Sequence, residues 1–64
     1  MAIDIIHSAV GWSEAEARIL LGKYGLTTRV LRRDSNPYIV TADLRTNRVN
    51  IEVDNGVVTK AYRG

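Results

Sequence analysis

A chain of 64 residues holds one domain with a small core and leaves little room for a deep enzymatic pocket. Its 45% hydrophobic and 25% charged residues are the composition of a folded domain, and the absence of cysteine excludes disulfides, thiol chemistry and thiolate metal sites. Nine Lys and Arg against seven Asp and Glu give a net charge of only +2, too little to argue for nucleic acid as a partner.

Residues 1–10 carry Asp4 and His7, with neither the basic start nor the uninterrupted apolar run of a signal peptide or membrane span. A cytoplasmic location with no membrane partner is therefore expected. Ser13-Glu14-Ala15-Glu16 has the spacing of a capping box: the Ser13 hydroxyl accepts from the Glu16 amide, and the Glu16 carboxylate reaches back to the Ser13 amide. A helix starts there, with Trp12 before it as a staple to Ala17. Ala17, Leu20, Leu21 and Tyr24 form its apolar stripe, and Gly25 ends it in a left-handed conformation.

Thr27 to Leu31 reads as a strand on its β-branched and aliphatic content. Val49, Ile51 and Val53 alternate with Asn50, Glu52 and Asp54, the period of a strand with one face on a core. Asn55-Gly56 then suits a tight hairpin turn, and Val57 to Tyr62 supplies the returning strand. Between them lies the polar stretch 32–47. A connection of that length in so small a domain points to function, and Tyr38-Ile39-Val40-Thr41 gives it an apolar run that a mere linker would not need. Positive charge gathers around it, in Arg29, Arg32, Arg33, Arg45 and Arg48.

Val10-Gly11, the helix opening at Ser13, Val40-Thr41-Ala42-Asp43-Leu44-Arg45-Thr46-Asn47-Arg48-Val49 and the closing Arg63-Gly64 together resemble the potato inhibitor I family of serine-protease inhibitors. The resemblance covers the chain from Val10 onward, and its most specific part is Val-Thr-x-acidic-hydrophobic-Arg-x-x-Arg-Val. It implies a reactive-site loop of Thr41, Ala42, Asp43 and Leu44. Ala42 would enter the protease's primary pocket, and Asp43 would follow the scissile bond. Arg48 matches one of the arginines that support the family's loop from the sheet. Asn50 stands where the family often has a second, for which Arg45 is the candidate substitute. Small Ala42 implies a subtilisin-like or elastase-like target, and the resemblance implies no cofactor and no catalysis by the chain itself.

Other chemistries fit the residues less well. One histidine, His7, with no cysteine makes a poor zinc site, and no nucleophile motif surrounds Ser8, Ser13 or Ser35, so no enzyme and no metal are expected. The glycines mark a helix end and a turn and do not form a phosphate-cradling loop. The competing function is capture of a phosphate or nucleotide ligand by Arg32, Arg33, Arg45 and Arg48, as a sequestering protein in which two or more copies meet. A third is a protein-interaction module that offers the strand edge Val57–Tyr62.

The expected architecture is α+β: one helix packed on a small mixed three-stranded sheet, within a single inhibitor-like domain spanning 1–64 and with a long exposed loop between the first two strands. The expected core is Val10, Trp12, Ala17, Leu20, Leu21, Val30, Val49, Ile51, Val53 and Val58.

Overall fold

The computed structural model describes residues 4–64. The domain expected to span 1–64 thus extends, at residues 1–3, outside the described part. The first element is one that periodicity could not show. Asp4 caps a single-turn helix, α1 (Ile5–Ser8), its carboxylate accepting from the amides of Ile6 and His7 at 3.1 and 3.3 Å. This turn buries Ile6 and Ala9, two core residues absent from the expected list, and leaves Val10 on the surface at the turn that follows.

Helix α2 (Glu14–Lys23) starts where the capping box places it, with the Ser13 hydroxyl 3.1 Å from the Glu16 amide. The return contact differs, because the Glu16 carboxylate meets the Ser13 hydroxyl, at 3.4 Å, and not its amide. The helix closes on Gly25, at φ 75°. Two hydrogen bonds seal this end: Leu26 N–H donates to the Leu21 carbonyl at 3.1 Å and Gly25 N–H to that of Gly22 at 3.0 Å, the paired bonds of a Schellman motif. Because the helix stops at Lys23, Tyr24 lies beyond the apolar stripe and is exposed. Leu20 is half-buried, so Ala17 and Leu21 carry the helix's buried face.

Four strands form one mixed sheet in the order β2-β1-β3-β4: β1 (Thr27–Arg33), β2 (Asn36–Pro37), β3 (Arg48–Asp54) and β4 (Val57–Arg63). The sheet thus has one strand, and the fold one short helix, more than the sequence suggests. β2 was hidden in the polar stretch, since two residues carry no periodicity. It turns back from β1 through Asp34 and Ser35 and pairs antiparallel, Arg33 opposite Asn36. β3 and β4 form the expected hairpin, with Asn55 and Gly56 at φ 52° and 78° as the turn requires.

Val49, Ile51 and Val53 of β3 face α2 and join Ile6, Ala9, Ala17, Leu21 and Val58 in the core, with Trp12 and Val30 packed against it. Full burial of a side chain such as Leu21 or Ile51 is worth about 1.5–3 kcal/mol. The segment before α2 runs along β4: Gly11 N–H reaches the Val58 carbonyl, and Val58 N–H the Trp12 carbonyl, both at 2.8 Å. That covers the start of the edge that Val57–Tyr62 was expected to offer a partner.

β1 and β3 run parallel, Thr27 beside Arg48 and Val30 beside Ile51. Parallel neighbours cannot be joined by a tight turn, because the chain must travel back to the starting end of the sheet. Residues 38–47 make that journey across the face opposite α2. They end where Thr27 N–H donates to the Asn47 carbonyl at 2.7 Å.

The two helix glycines predict opposite stability changes. Gly22→Ala, within α2 and with nothing in the space a Cβ would fill, should stabilise the fold by about 0.5–1 kcal/mol. Gly25→Ala, in the left-handed region, should cost about 1 kcal/mol or more. Urea unfolding midpoints of the two variants, moving in opposite directions, check the assignment of the helix end.

Candidate functional site

A β-strand sends alternate side chains to opposite faces, so the residues of β3 that do not enter the core, Arg48, Asn50 and Glu52, point toward the loop side of the sheet. Arg48 is 9% and Asn50 3% exposed: the loop meets Arg48 at Asp43, while Arg29 and Gly64 lie against Asn50. On β1 the partners of Asn50 and Glu52 are Arg29 and Arg32. Three residues apart, these two would face opposite sides of a regular strand. The register shift between Val30 and Arg32 makes Leu31 an extra residue, which brings Arg29 and Arg32 to the same face and sends Arg33 to the other.

The loop is tied down at its carbonyls. Arg29 Nη1 donates to the Thr41 carbonyl at 3.0 Å, Arg48 Nη2 to the Asp43 carbonyl, Arg63 Nη1 to the Thr46 carbonyl and Thr27 Oγ1 to the Asn47 carbonyl at 3.2 Å. Arg48 is itself fixed by two donations to the Gly64 carbonyl, from Nε at 3.1 Å and Nη2 at 2.8 Å. Arg29 is fixed by its Nε donating to Asn50 Oδ1 at 2.8 Å. Charge-assisted bonds of this kind are about twice as strong as neutral ones.

Asp43 is the electrostatic centre of the loop. The Thr41 hydroxyl donates to its carboxylate, Arg45 Nε lies at 3.0 Å, Arg48 Nη1 at 3.5 Å and Arg29 Nη1 at 4.0 Å. The Thr41 hydrogen bond, then that of Arg45 and the charge of Arg48, hold its carboxyl down to about 2 from an ordinary 3.8. Thr41 and Asp43 thus bond to each other and to the sheet on either side of Ala42, which is exposed. Ile39 is fully exposed and Leu44 is 88% exposed. Among the described residues, the non-glycine positions with positive φ are Asp34 and Asn55, neither of them in the loop. The loop's apolar side chains therefore project outward while its polar atoms bind the protein beneath.

Each expected site residue has a definite place. Thr41, Ala42, Asp43 and Leu44 lie together at the exposed crest, with Arg48 below and Arg45 beside them. Arg45 does contact Asp43, but from the surface, with a side chain 65% exposed. The second support from the sheet is the half-buried Arg29, which sequence reasoning missed because it comes from the neighbouring strand and its phase depends on the Leu31 bulge. No local signal marked it, because the alternation of β3 puts its partner Asn50 on the face turned away from the core.

The four arginines of the anion-binding alternative do not converge. Arg32 forms a bidentate pair with Asp54, at 2.7 and 2.9 Å, and meets Glu52 at 3.0 Å. Arg33, on the helix face, forms a bidentate pair with Glu14 at 2.8 and 2.6 Å and meets the Tyr38 hydroxyl at 3.2 Å. These bonds keep the Glu14 carboxyl below its usual range and join the start of α2 to the start of the loop. Arg45 and Arg48 share Asp43.

An open depression of about 350 Å³ is lined by Asp4, Ile6, His7, Ala61, Tyr62 and Arg63. It brings His7 no serine, threonine or cysteine, and the Asp4 carboxylate is already engaged in capping α1. No helix among the described residues is long and apolar enough to cross a membrane. No protein-family model matches the chain, and no curated protein matches it.

The folded-state carboxyl of Asp43 lies below its free value, so ionised Asp43 contributes fully above 3.8 and its contribution is lost as the pH falls through about 2. The NMR signals of Thr41 and Asp43 should hold steady from pH 7 to pH 4 and move below it, with an Asp43 midpoint near 2. A midpoint at the free value would show that the loop contacts do not persist in solution.

Proposed function

We propose that this chain is a reversible, substrate-like inhibitor of a serine protease of the subtilisin or elastase type. The observation that carries this reading is the pair Thr41 and Asp43, bonded to each other and to arginines of the sheet while Ala42 between them stays exposed. A peptide segment held in advance in an extended, outward-facing form loses little conformational entropy when a protease closes on it. Contacts that an ordinary substrate would spend on ordering then count toward affinity.

In this reading Ala42 enters the primary specificity pocket, and Ile39, Val40 and Thr41 precede it along the binding cleft, with Leu44 beyond the Ala42–Asp43 bond. Attack by the protease's serine hydroxyl on the Ala42 carbonyl would form an acyl-enzyme and free the Asp43 amine. Arg48, bonded to the carbonyl and carboxylate of Asp43, keeps that amine beside the ester. The reverse reaction, in which the amine attacks the ester and releases the serine, then outruns hydrolysis. The small side chain of Ala42 suits a shallow or broad pocket and has no charge for a trypsin-like one.

Titrating subtilisin and elastase with the purified chain tests this directly. Stoichiometric loss of protease activity, with intact chain recovered afterwards, is the expected result; full activity in the presence of micromolar folded chain would end the proposal. Two variants refine it. Ala42→Arg should redirect inhibition toward a trypsin-like protease, read from the relative inhibition constants for trypsin and subtilisin. Arg48→Ala should turn inhibitor into substrate, with cleavage of the Ala42–Asp43 bond faster by roughly 10- to 100-fold, the factor that corresponds to losing a hydrogen bond to a charged group. Mass spectrometry of the cleaved fragments measures it.

A further inference from the structure

Asn50 is the least exposed polar side chain of the sheet's loop side, at 3%, and its side-chain hydrogen bond goes to Arg29 and not to the loop. Its Oδ1 accepts from Arg29 Nε at 2.8 Å, and the same guanidinium gives Nη1 to the Thr41 carbonyl and hydroxyl at 3.0 and 3.4 Å. A guanidinium is planar, so fixing Nε fixes where the Nη atoms lie. Gly64 packs against the other end of the amide, where a Cβ would sit 2.7 Å from Asn50 Nδ2. The glycine thereby lets the chain pass directly over Asn50, and its carbonyl holds Arg48.

We propose that Asn50, covered by Gly64, is a positioning residue that aims Arg29 at Thr41. The segment before the Ala42–Asp43 bond is then held from β1 through Asn50 and Arg29, and the segment after it from β3 through Arg48. The two clamps end on different carbonyls, that of Thr41 and that of Asp43, and approach each other at the Asp43 carboxylate, which lies 4.0 Å from Arg29 and 3.5 Å from Arg48. They stand on adjacent strands, with Arg29 paired to Asn50, two residues beyond Arg48. If the loop inhibits a protease, as proposed above, the first clamp orders the residues that enter the cleft and the second retains the leaving amine. This division of labour deepens that reading, but the loop order on which it depends needs no protease to observe.

The test is backbone ¹⁵N relaxation of the full 64-residue chain. In Asn50→Leu the order parameters of residues 40–42 should fall from about 0.85 toward 0.6 or below, while those of 43–46 stay near the wild-type values. In Arg48→Ala the pattern should reverse. Asn50→Asp, which keeps an acceptor for Arg29 Nε, should restore the order of 40–42. Unchanged methyl shifts of Val49 and Ile51, on the opposite face, establish that the core is intact. Should Asn50→Leu not fold, Asn50→Ala makes the same comparison with less bulk.

Residues 40–42 as rigid as in the wild type, in a folded Asn50 variant, would overturn the assignment. So would an even loosening of the whole loop in both Asn50 and Arg48 variants, because that is what a general structural role produces. A wild-type chain that inhibits no protease but shows this split pattern would remove the inhibitory function and leave Asn50 in its positioning role.

Discussion

Arg48 carries a charge that is almost entirely withdrawn from water, and a buried guanidinium is tolerated only when its donors are answered. The groups that answer it come from far apart in the chain: the Gly64 carbonyl at one side, and the carbonyl and carboxylate of Asp43 at the other. The loop and the last residue are therefore obliged to meet over the same strand position. That requirement turns an otherwise free connection into a fixed one, and it does so without any covalent bridge. Removing Arg48 or its acceptors would leave unpaired polar groups beneath the loop, at Asp43 and Gly64.

Topology supplies the loop's path. Two parallel strands side by side need a return passage, and the helix already fills one face of the sheet, so the passage crosses the other. A connection lying over a sheet face has buried backbone polar groups to satisfy. Here arginines of β1, β3 and β4 and a threonine of β1 satisfy the carbonyls of Thr41, Asp43, Thr46 and Asn47. The loop's polar side is thereby consumed internally, and Ile39, Val40, Ala42 and Leu44 are left facing outward. The outward-facing apolar crest and the well-satisfied crossover are the same object described from its two sides.

The bulge at Leu31 distributes the remaining charge. It sets Arg29 under the loop, Arg32 beside Glu52 and Asp54, and Arg33 against Glu14 at the start of the helix. A cluster of positive charge along the sequence becomes three contacts at different places on the sheet. The local excess of arginine is therefore consistent with a structural role, each guanidinium joining two elements that the small core alone would hold weakly.

By itself the sequence determined those features that depend on neighbours in the chain. The Ser13 cap, the Gly25 helix end, the alternation of Val49, Ile51 and Val53 and the Asn55-Gly56 turn are local rules of hydrogen bonding and dihedral angle, and they read correctly without a fold. The exposed crest of Thr41 to Leu44 and the support from Arg48 were also legible, through a pattern that spans only a few residues. Tertiary structure decided the rest. Ile6 and Ala9 enter the core because a single helical turn, too short to show a period, lies against β4. Tyr24 and Val10 are left outside because the chain turns before they can reach the core. Arg29 becomes the loop's second support because of a parallel pairing with residues about twenty positions away and a one-residue bulge that changes its face, and neither long-range register nor strand phase is written in any local stretch of sequence.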